Sequence, residues 1–300
     1  MRNNSLNKSR KLLIYIIMCC CRIFPTRLYL RLLYRLKIGK KLHLKNPQSF
    51  SEKIQWLKIY DRNPMYIKMV DKIQAKNFVS ERIGCEYIIP TISVWDRVEE
   101  IDWKSLPNSF VLKTTHGGGS RGVVICKDKQ CFDYRAAIEK IQYALKQDIW
   151  NKLREWPYKG VKPRVFAEQY IKPNLIESSL TDYKWYCFNG EPHYCQVIKN
   201  RTGEETIDYF DLKWHHQDFI GLNPLAKNAM IEPACPDNLE TQIYIARKLS
   251  KGTVFSRIDL YEVEGHVYFG EITFYPRSGL GVFRPYIWNY RLGDLIDLPI

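Results

Sequence analysis

Residues 257–273 read Arg257-Ile-Asp-Leu-Tyr-Glu-Val-Glu-Gly-His-Val-Tyr-Phe-Gly-Glu-Ile-Thr273. The pattern predicts two strands, Phe255–Tyr261 and Val267–Thr273, that pair across a Glu264-Gly265 turn. Side chains at i and i+2 of a strand share a face. Arg257 therefore projects with Asp259, and Glu271 with Thr273. Once the strands pair, two carboxylates, a guanidinium and a hydroxyl meet on one surface. Such oxygens suit Mg²⁺, which takes one or two carboxylates beside phosphate oxygens. By themselves, the same residues also fit a surface ion pair of Arg257 with Asp259 or Glu271.

A second stretch, Lys113-Thr-Thr-His-Gly-Gly-Gly-Ser-Arg-Gly122, lies between the apolar segments Phe110–Lys113 and Val123–Cys126. These segments predict a hairpin whose turn is rich in glycine. Glycines let backbone N–H groups approach phosphate oxygens, while Ser120 adds a donor and Lys113 and Arg121 add charge. No Gly-Lys-Ser/Thr closes the stretch, so it is not a Walker A loop. An ordinary flexible turn has the same composition.

Outward from these stretches, helices are expected over Glu52–Tyr60 (capped by Ser49 or Ser51), Met65–Ile83, 133–153 and Asn238–Leu249. Strands are expected at Ile88–Ile92 and Arg164–Ala167. Lys184–Phe188 and His193–Ile198 flank Asn189-Gly190, a strong two-residue hairpin signal. Hairpins mixed with helices indicate α+β layers and not a regular βαβ alternation.

The chain has 300 residues, 45% hydrophobic and 14% aromatic, which is enough for a core of ordinary size. Its net charge of +14 favours polyanionic partners. Much of that excess lies in residues 1–45, which hold no Asp or Glu, and no basic motif recurs beside the later aromatics. Nucleic acid is therefore not expected as a partner. The nine cysteines include no CxxC pair, which argues against a zinc site or disulfide framework. His215-His216 is adjacent and not at i, i+4, so it is not a metal pair. The acids of 96–102 read as a solvated face. No Gly-x-Ser-x-Gly occurs, and no Asp-x-Asp of the kind used by nucleotide-sugar transferases is convincing.

At the N-terminus, the apolar run Leu12–Cys21 is too short to span a bilayer and lacks a cleavage signal. Arg27, Arg31 and Arg35 then form a basic helical stripe beside Leu28, Leu32, Leu33 and Leu36. This combination suits shallow docking on an anionic leaflet. A helix packed on the body with a solvated arginine face is the other reading.

The order of these motifs resembles the ATP-grasp enzymes, and more closely their TupA-like branch among teichuronopeptide and surface-polysaccharide biosynthesis proteins. The resemblance covers roughly residues 48–300. It rests on Phe50-Ser-Glu-Lys-Ile-Gln-Trp56, Asp71-Lys72, Lys113-Thr-Thr-His-Gly-Gly118, Asp182-Tyr-Lys-Trp-Tyr-Cys-Phe-Asn-Gly190 and Glu271-Ile-Thr-Phe-Tyr-Pro276. It implies an α+β ATP-grasp fold, with two subdomains enclosing the nucleotide and a helical basic extension. The expected parts are an arm at 1–47, a helical substrate-side region at 48–108, a small subdomain at 109–171 and a large one at 172–300.

The resemblance also implies roles. Lys113 would bind ATP phosphates with Ser120 and Gly122 of the loop, and Lys72 would reach the same phosphates. Gly117, Gly118 and Lys184 are further cofactor-site candidates, and His116 beside the loop would contact phosphate or substrate or, more readily, support the loop. Glu168, Gln169 and Ile171 would form the adenine hinge, and Asp182 would meet the ribose. Asp259, Glu271 and Thr273 would hold Mg²⁺, with Thr273 standing where many members have Asn. Arg257 and Lys113 would be catalytic, and Arg201, Arg277, Ser278 and Gly279 would face an anionic substrate. The implied reaction is ATP-dependent carboxylate–amine ligation. Its acceptor would be a saccharide or uronic acid, free or lipid-linked, and its nucleophile an amino acid or amine. The expected location is cytoplasmic, peripheral at the inner membrane face. A sugar kinase, a glycosyltransferase and a non-catalytic membrane-associated scaffold remain alternatives.

Overall fold

A computed structural model describes residues 8–174, 179–201, 203–223 and 225–299. Residues 1–7 of the expected arm, and the side chain of Ser120, lie outside the described part. In chain order, α1 (Lys8–Cys19) and α2 (Thr26–Ile38) are followed by α3 (Phe50–Tyr60), α4 (Met65–Val70) and α5 (Lys72–Ile83). Strands β1 (Thr91–Trp95), β2 (Phe110–Thr114) and β3 (Val123–Cys126) precede α6 (Tyr134–Leu145), α7 (Ile149–Leu153) and β4 (Val165–Gln169). Next come β5 (Asp182–Phe188), β6 (Glu191–Lys199), β7 (Thr206–Phe210) and the short β8 (Ile220–Gly221). The chain ends with α8 (Leu239–Ser250), β9 (Phe255–Val263), β10 (His266–Thr273), β11 (Phe283–Arg284) and α9 (Trp288–Asp294).

Two antiparallel sheets carry the α+β architecture. The smaller has the order β1-β4-β2-β3 and the larger β10-β9-β5-β6-β7. Each has its own core. Phe110, Leu112, Val165 and Ala167 pack with Ile141 of α6, while Trp185, Ile258 and Leu260 pack with α3, α5 and α8. A third cluster joins α1 to α2 through Ile14, Ile17, Tyr29, Leu30 and Leu33. Burying a leucine or isoleucine contributes about 1.5–3 kcal/mol, so this small cluster suffices to seat α1 on α2.

Local chemistry explains where the elements begin and break. Ser49 accepts from the Glu52 N–H and Glu52 returns a bond to the Ser49 backbone, a capping box that starts α3. The helix expected over Met65–Ile83 breaks at Asp71. Its carboxylate accepts from the Ile73 and Gln74 N–H groups and caps a new helix. Asp148 divides the expected helix 133–153 in the same way, accepting from the Asn151 N–H. The strand expected at Ile88–Ile92 instead starts at Thr91, after Pro90, whose carbonyl accepts from Gln169. Because β1 pairs with β4, the small sheet starts before residue 109. Asn189 and Gly190 both have positive φ, as a type I′ hairpin requires, and so do Glu264 and Gly265.

On α2 the buried side chains are Tyr29, Leu30, Leu33 and Tyr34, and Leu28 stays exposed. The expected leucine face is therefore only partly the packed one, because the two tyrosines turn the helix. All nine cysteines are free. Among the described residues, no helix is long and apolar enough to cross a membrane.

Candidate active site

The β9–β10 register sets Asp259 opposite Glu271 and Arg257 opposite Thr273. The four groups thus meet on one surface, and a bulge between Phe269 and Glu271 makes this so, because the unbroken register from the two-residue turn would set Gly270 opposite Asp259. Arg257 grips Asp259 with two bonds, Nε to Oδ1 at 2.6 Å and Nη2 to Oδ2 at 2.7 Å. Its Nη2 also donates to Thr273 Oγ1 at 3.2 Å and lies 3.7 Å from Glu271 Oε1. Strand β5 supplies the next neighbour. Lys184 stands opposite Asp259 and donates to its carboxylate, and its Nζ also lies 3.1 Å from Asp182. Arg201 closes this end by pairing with Asp182.

From the small sheet, Lys113 on β2 pairs with Glu168 on β4, whose other oxygen is 2.9 Å from Lys76 of α5. Lys72 joins the two halves. Its Nζ donates to the Gly117 carbonyl and lies 3.7 Å from Glu271, while its backbone N–H donates to Thr115. Asp71, the cap of α5, is itself 3.6 Å from Arg164.

The cluster sets Lys72, Lys76, Lys113, Lys184, Arg201 and Arg257 against Glu168, Asp182, Asp259 and Glu271. Six cations face four carboxylates, so the site carries a fixed positive excess that a polyphosphate would neutralise. Burial alone would raise Asp259, but Arg257 and Lys184 outweigh it and hold the carboxyl below its usual value. Lys113 and Lys76 do the same for the buried Glu168. Burial draws Lys72 below the usual lysine value, with Lys113 adding to the effect and Glu271 opposing it.

The glycine loop is held open at its base. Gly117 and Gly119 have φ of +84° and +73°, conformations natural to glycine. A Cβ on Gly122 would lie 2.4 Å from Thr114 Oγ1, which donates to the His116 carbonyl. His116 is buried, and neither ring nitrogen has a hydrogen-bond partner among the described residues. Burial, with Lys72 nearby, pulls its imidazole below the usual value, which favours the neutral ring.

Not every expected residue faces the cluster with a free group. Glu168 and Asp182 have buried carboxylates already engaged by cations, and the Gln169 N–H is taken by Pro90. Gln169 and Ile171 lie at and just beyond the end of β4. Ser278 and Gly279 pack onto α3. Gln55 donates to both of their carbonyls, and Lys58 donates to the Ser278 carbonyl at 2.7 Å. Arg277, Ser278 and Gly279 are consecutive left-handed residues, with φ of 49°, 58° and 60°. Lys76, Tyr158 and the Lys58 support were not foreseen. Lys76 had a signal, since it follows Lys72 by one helical turn. Tyr158 lines a small cavity with Lys72 and Glu271, yet nothing in the sequence joins residue 158 to residue 271.

The TupA-like ATP-grasp family matches residues 52–297, most of the chain. The chain belongs to that family. That family places the chain among the ATP-grasp proteins. Comparison with curated proteins gives no match. Among solved structures, it is similar to a D-alanine–D-alanine ligase from Helicobacter pylori at 15% identity and TM-score 0.42, covering 83% of this chain and 70% of that one. The D-alanine–D-alanine ligase from Bacillus anthracis gives 18% and 0.43, covering 76% and 66%. An N5-carboxyaminoimidazole synthetase from Staphylococcus aureus complexed with ADP gives 14% and 0.47, covering 82% and 59%. The chain thus spans less than two thirds of the length of the latter two.

The donor set bears on the metal. Among the described residues, no group of three or more His, Cys, Asp or Glu side chains could hold an ion by itself. Asp259 and Glu271 supply two carboxylates. Asp259 is buried and engaged on both oxygens by Arg257 and Lys184, while Glu271 is loosely held, its nearest cations being 3.7 Å away. That set fits an ion such as Mg²⁺ that takes its remaining ligands from phosphate and water.

Proposed function

We propose that this protein is an ATP-dependent carboxylate–amine ligase that works through an acylphosphate. Its acceptor is the carboxylate of a uronic acid in bacterial capsule or cell-surface polysaccharide assembly, and its nucleophile is an amino acid or other amine. The observation that carries this reading is that Asp259 and Glu271 stand opposite each other with Arg257, Lys184 and Lys72 around them.

Lys72 and Lys113 flank the glycine loop and bind the nucleotide's phosphates. Mg²⁺, held by Asp259 and Glu271 with Thr273 beside them, supplies further neutralisation of phosphate charge when bound. Arg257 steadies the transferred phosphoryl group. An acceptor carboxylate oxygen attacks the γ-phosphorus and ADP leaves. The amine then attacks the acyl carbon, phosphate leaves, and the amine's proton passes to solvent. Catalysis is mainly positioning and fixed charge, with no covalent step on the protein.

The test is ATP consumption screened against uronic acids with amino acids as co-substrates, with products identified by mass. Amide plus phosphate supports the ligase. A phosphoester product would show a kinase instead. A folded sample that binds no Mg·ATP by calorimetry would sink both.

A further inference from the structure

Helix α1 is apolar on two opposite faces, and among the described residues only one is covered. Ile14 and Ile17 turn inward onto Tyr29, Leu30 and Leu33 of α2. Leu12, Tyr15, Ile16 and Cys19 recur at i, i+3, i+4 and i+7, the spacing of a single helical stripe. They face outward, with Leu12 60%, Tyr15 67% and Ile16 47% exposed. Ile23 and Leu28, 78% and 46% exposed, continue the apolar surface past the end of α1.

Whatever covers this stripe must also accept positive charge. Lys8 and Lys11 are exposed one turn ahead of Leu12 and Tyr15 on the same face, and Arg27 adjoins Leu28, while Arg22, beside Ile23, pairs with Asp148 at 3.1 Å. No acidic residue precedes Glu52. A second copy of the same face would bring like charges together. A bilayer with anionic headgroups offers an apolar interior and negative charge at once. With 12 residues rising about 1.5 Å each, α1 is too short to cross and lies in the plane of the interface.

We propose that the outward stripe of α1, with its flanking lysines and arginines, docks this protein on an anionic lipid surface. The docked helices are tied to the nucleotide loop. Tyr29 Oη donates to the Lys152 carbonyl at 2.8 Å, and Arg154 donates to the carbonyls of Cys21 and Phe24. Ile149, on the same α7, packs beneath Gly117. Docking therefore sets the height of the glycine loop above the lipid.

The test uses the full chain with vesicles of phosphatidylcholine alone or mixed with phosphatidylglycerol, read by co-sedimentation. It needs no activity, so it stands apart from the ligase reading. The chain is expected to pellet with the anionic vesicles only. Ile16→Glu, Leu12→Glu and the pair Lys8→Glu/Lys11→Glu should each weaken binding about tenfold without changing thermal melting. No pelleting, equal pelleting with neutral vesicles, or insensitivity to these variants would overturn the proposal. So would a dimer that Ile16→Glu dissolves in a chain that ignores vesicles, since the stripe would then be a self-association face.

Discussion

Lys72 Nζ stands 3.7 Å from Glu271 Oε2 while donating to the Gly117 carbonyl, so one side chain touches both the glycine loop and the carboxylate pair. The contact couples the two sheets at the point where phosphates would lie. Lys72→Ala should lower kcat for ATP turnover about 100-fold, the usual cost of losing one preorganised charge at a transition state. Steady-state kinetics checks this. An unchanged kcat would remove Lys72 from the phosphate site.

Asp259 and Glu168 connect the site to acid stability. Both carboxyls are held below their ordinary values of 3.8 and 4.5 by adjoining cations, which overcome burial. Their stabilisation is fully present above those ordinary values and is lost as pH falls through the lower folded ones. Asp259→Asn should cost about 3–5 kcal/mol, because Arg257 and Lys184 lose their buried partner. It should also flatten the acid limb of stability measured by urea unfolding. A variant with wild-type acid sensitivity would contradict this.

Lys58 presents the opposite sign. Burial pushes it down to about 8 from the ordinary 10.5, with Glu155 opposing the shift. Between those values the unfolded chain binds more protons than the folded one, so stability should rise with pH across that window. Lys58→Met should abolish the rise. It should also release the turn at Ser278, raising the acceptor KM more than it lowers kcat. Urea titrations from pH 7 upward, on both proteins, measure the first effect.

Gly122→Ala should weaken ATP binding about tenfold, since the new Cβ would meet Thr114 Oγ1 at 2.4 Å. Adding Thr114→Ala removes that oxygen and should recover part of the loss. Calorimetric titration of both variants decides it. Failure of the second change to help would place the damage elsewhere.

The catalytic hairpin was legible because strand chemistry is local. The alternation around Arg257-Ile-Asp259 and Glu271-Ile-Thr273 shows which residues of each strand share a face. The register was not legible, since the Glu264-Gly265 turn alone would set Gly270 opposite Asp259 and a bulge between Phe269 and Glu271 brings Glu271 there. The glycine loop was legible for the same reason, since positive φ at Gly117 and Gly119 is a property of the residue. Helix breaks at Asp71 and Asp148 were hidden, because a carboxylate can cap a new helix or point into solvent from an unbroken one.

Tertiary structure alone decided which charges neutralise which. Glu168 and Asp182 are as acidic in sequence as Glu271, but the fold buries them against Lys113, Lys76, Lys184 and Arg201 and leaves Glu271 loosely held. The Lys184–Asp182 pair is local, but Lys76 and Glu168 stand 92 positions apart, and no local pattern encodes their meeting. The same holds for α1. Its sequence made the run from Leu12 onward apolar all round, and only packing showed that, among the described residues, one face is covered and the other open.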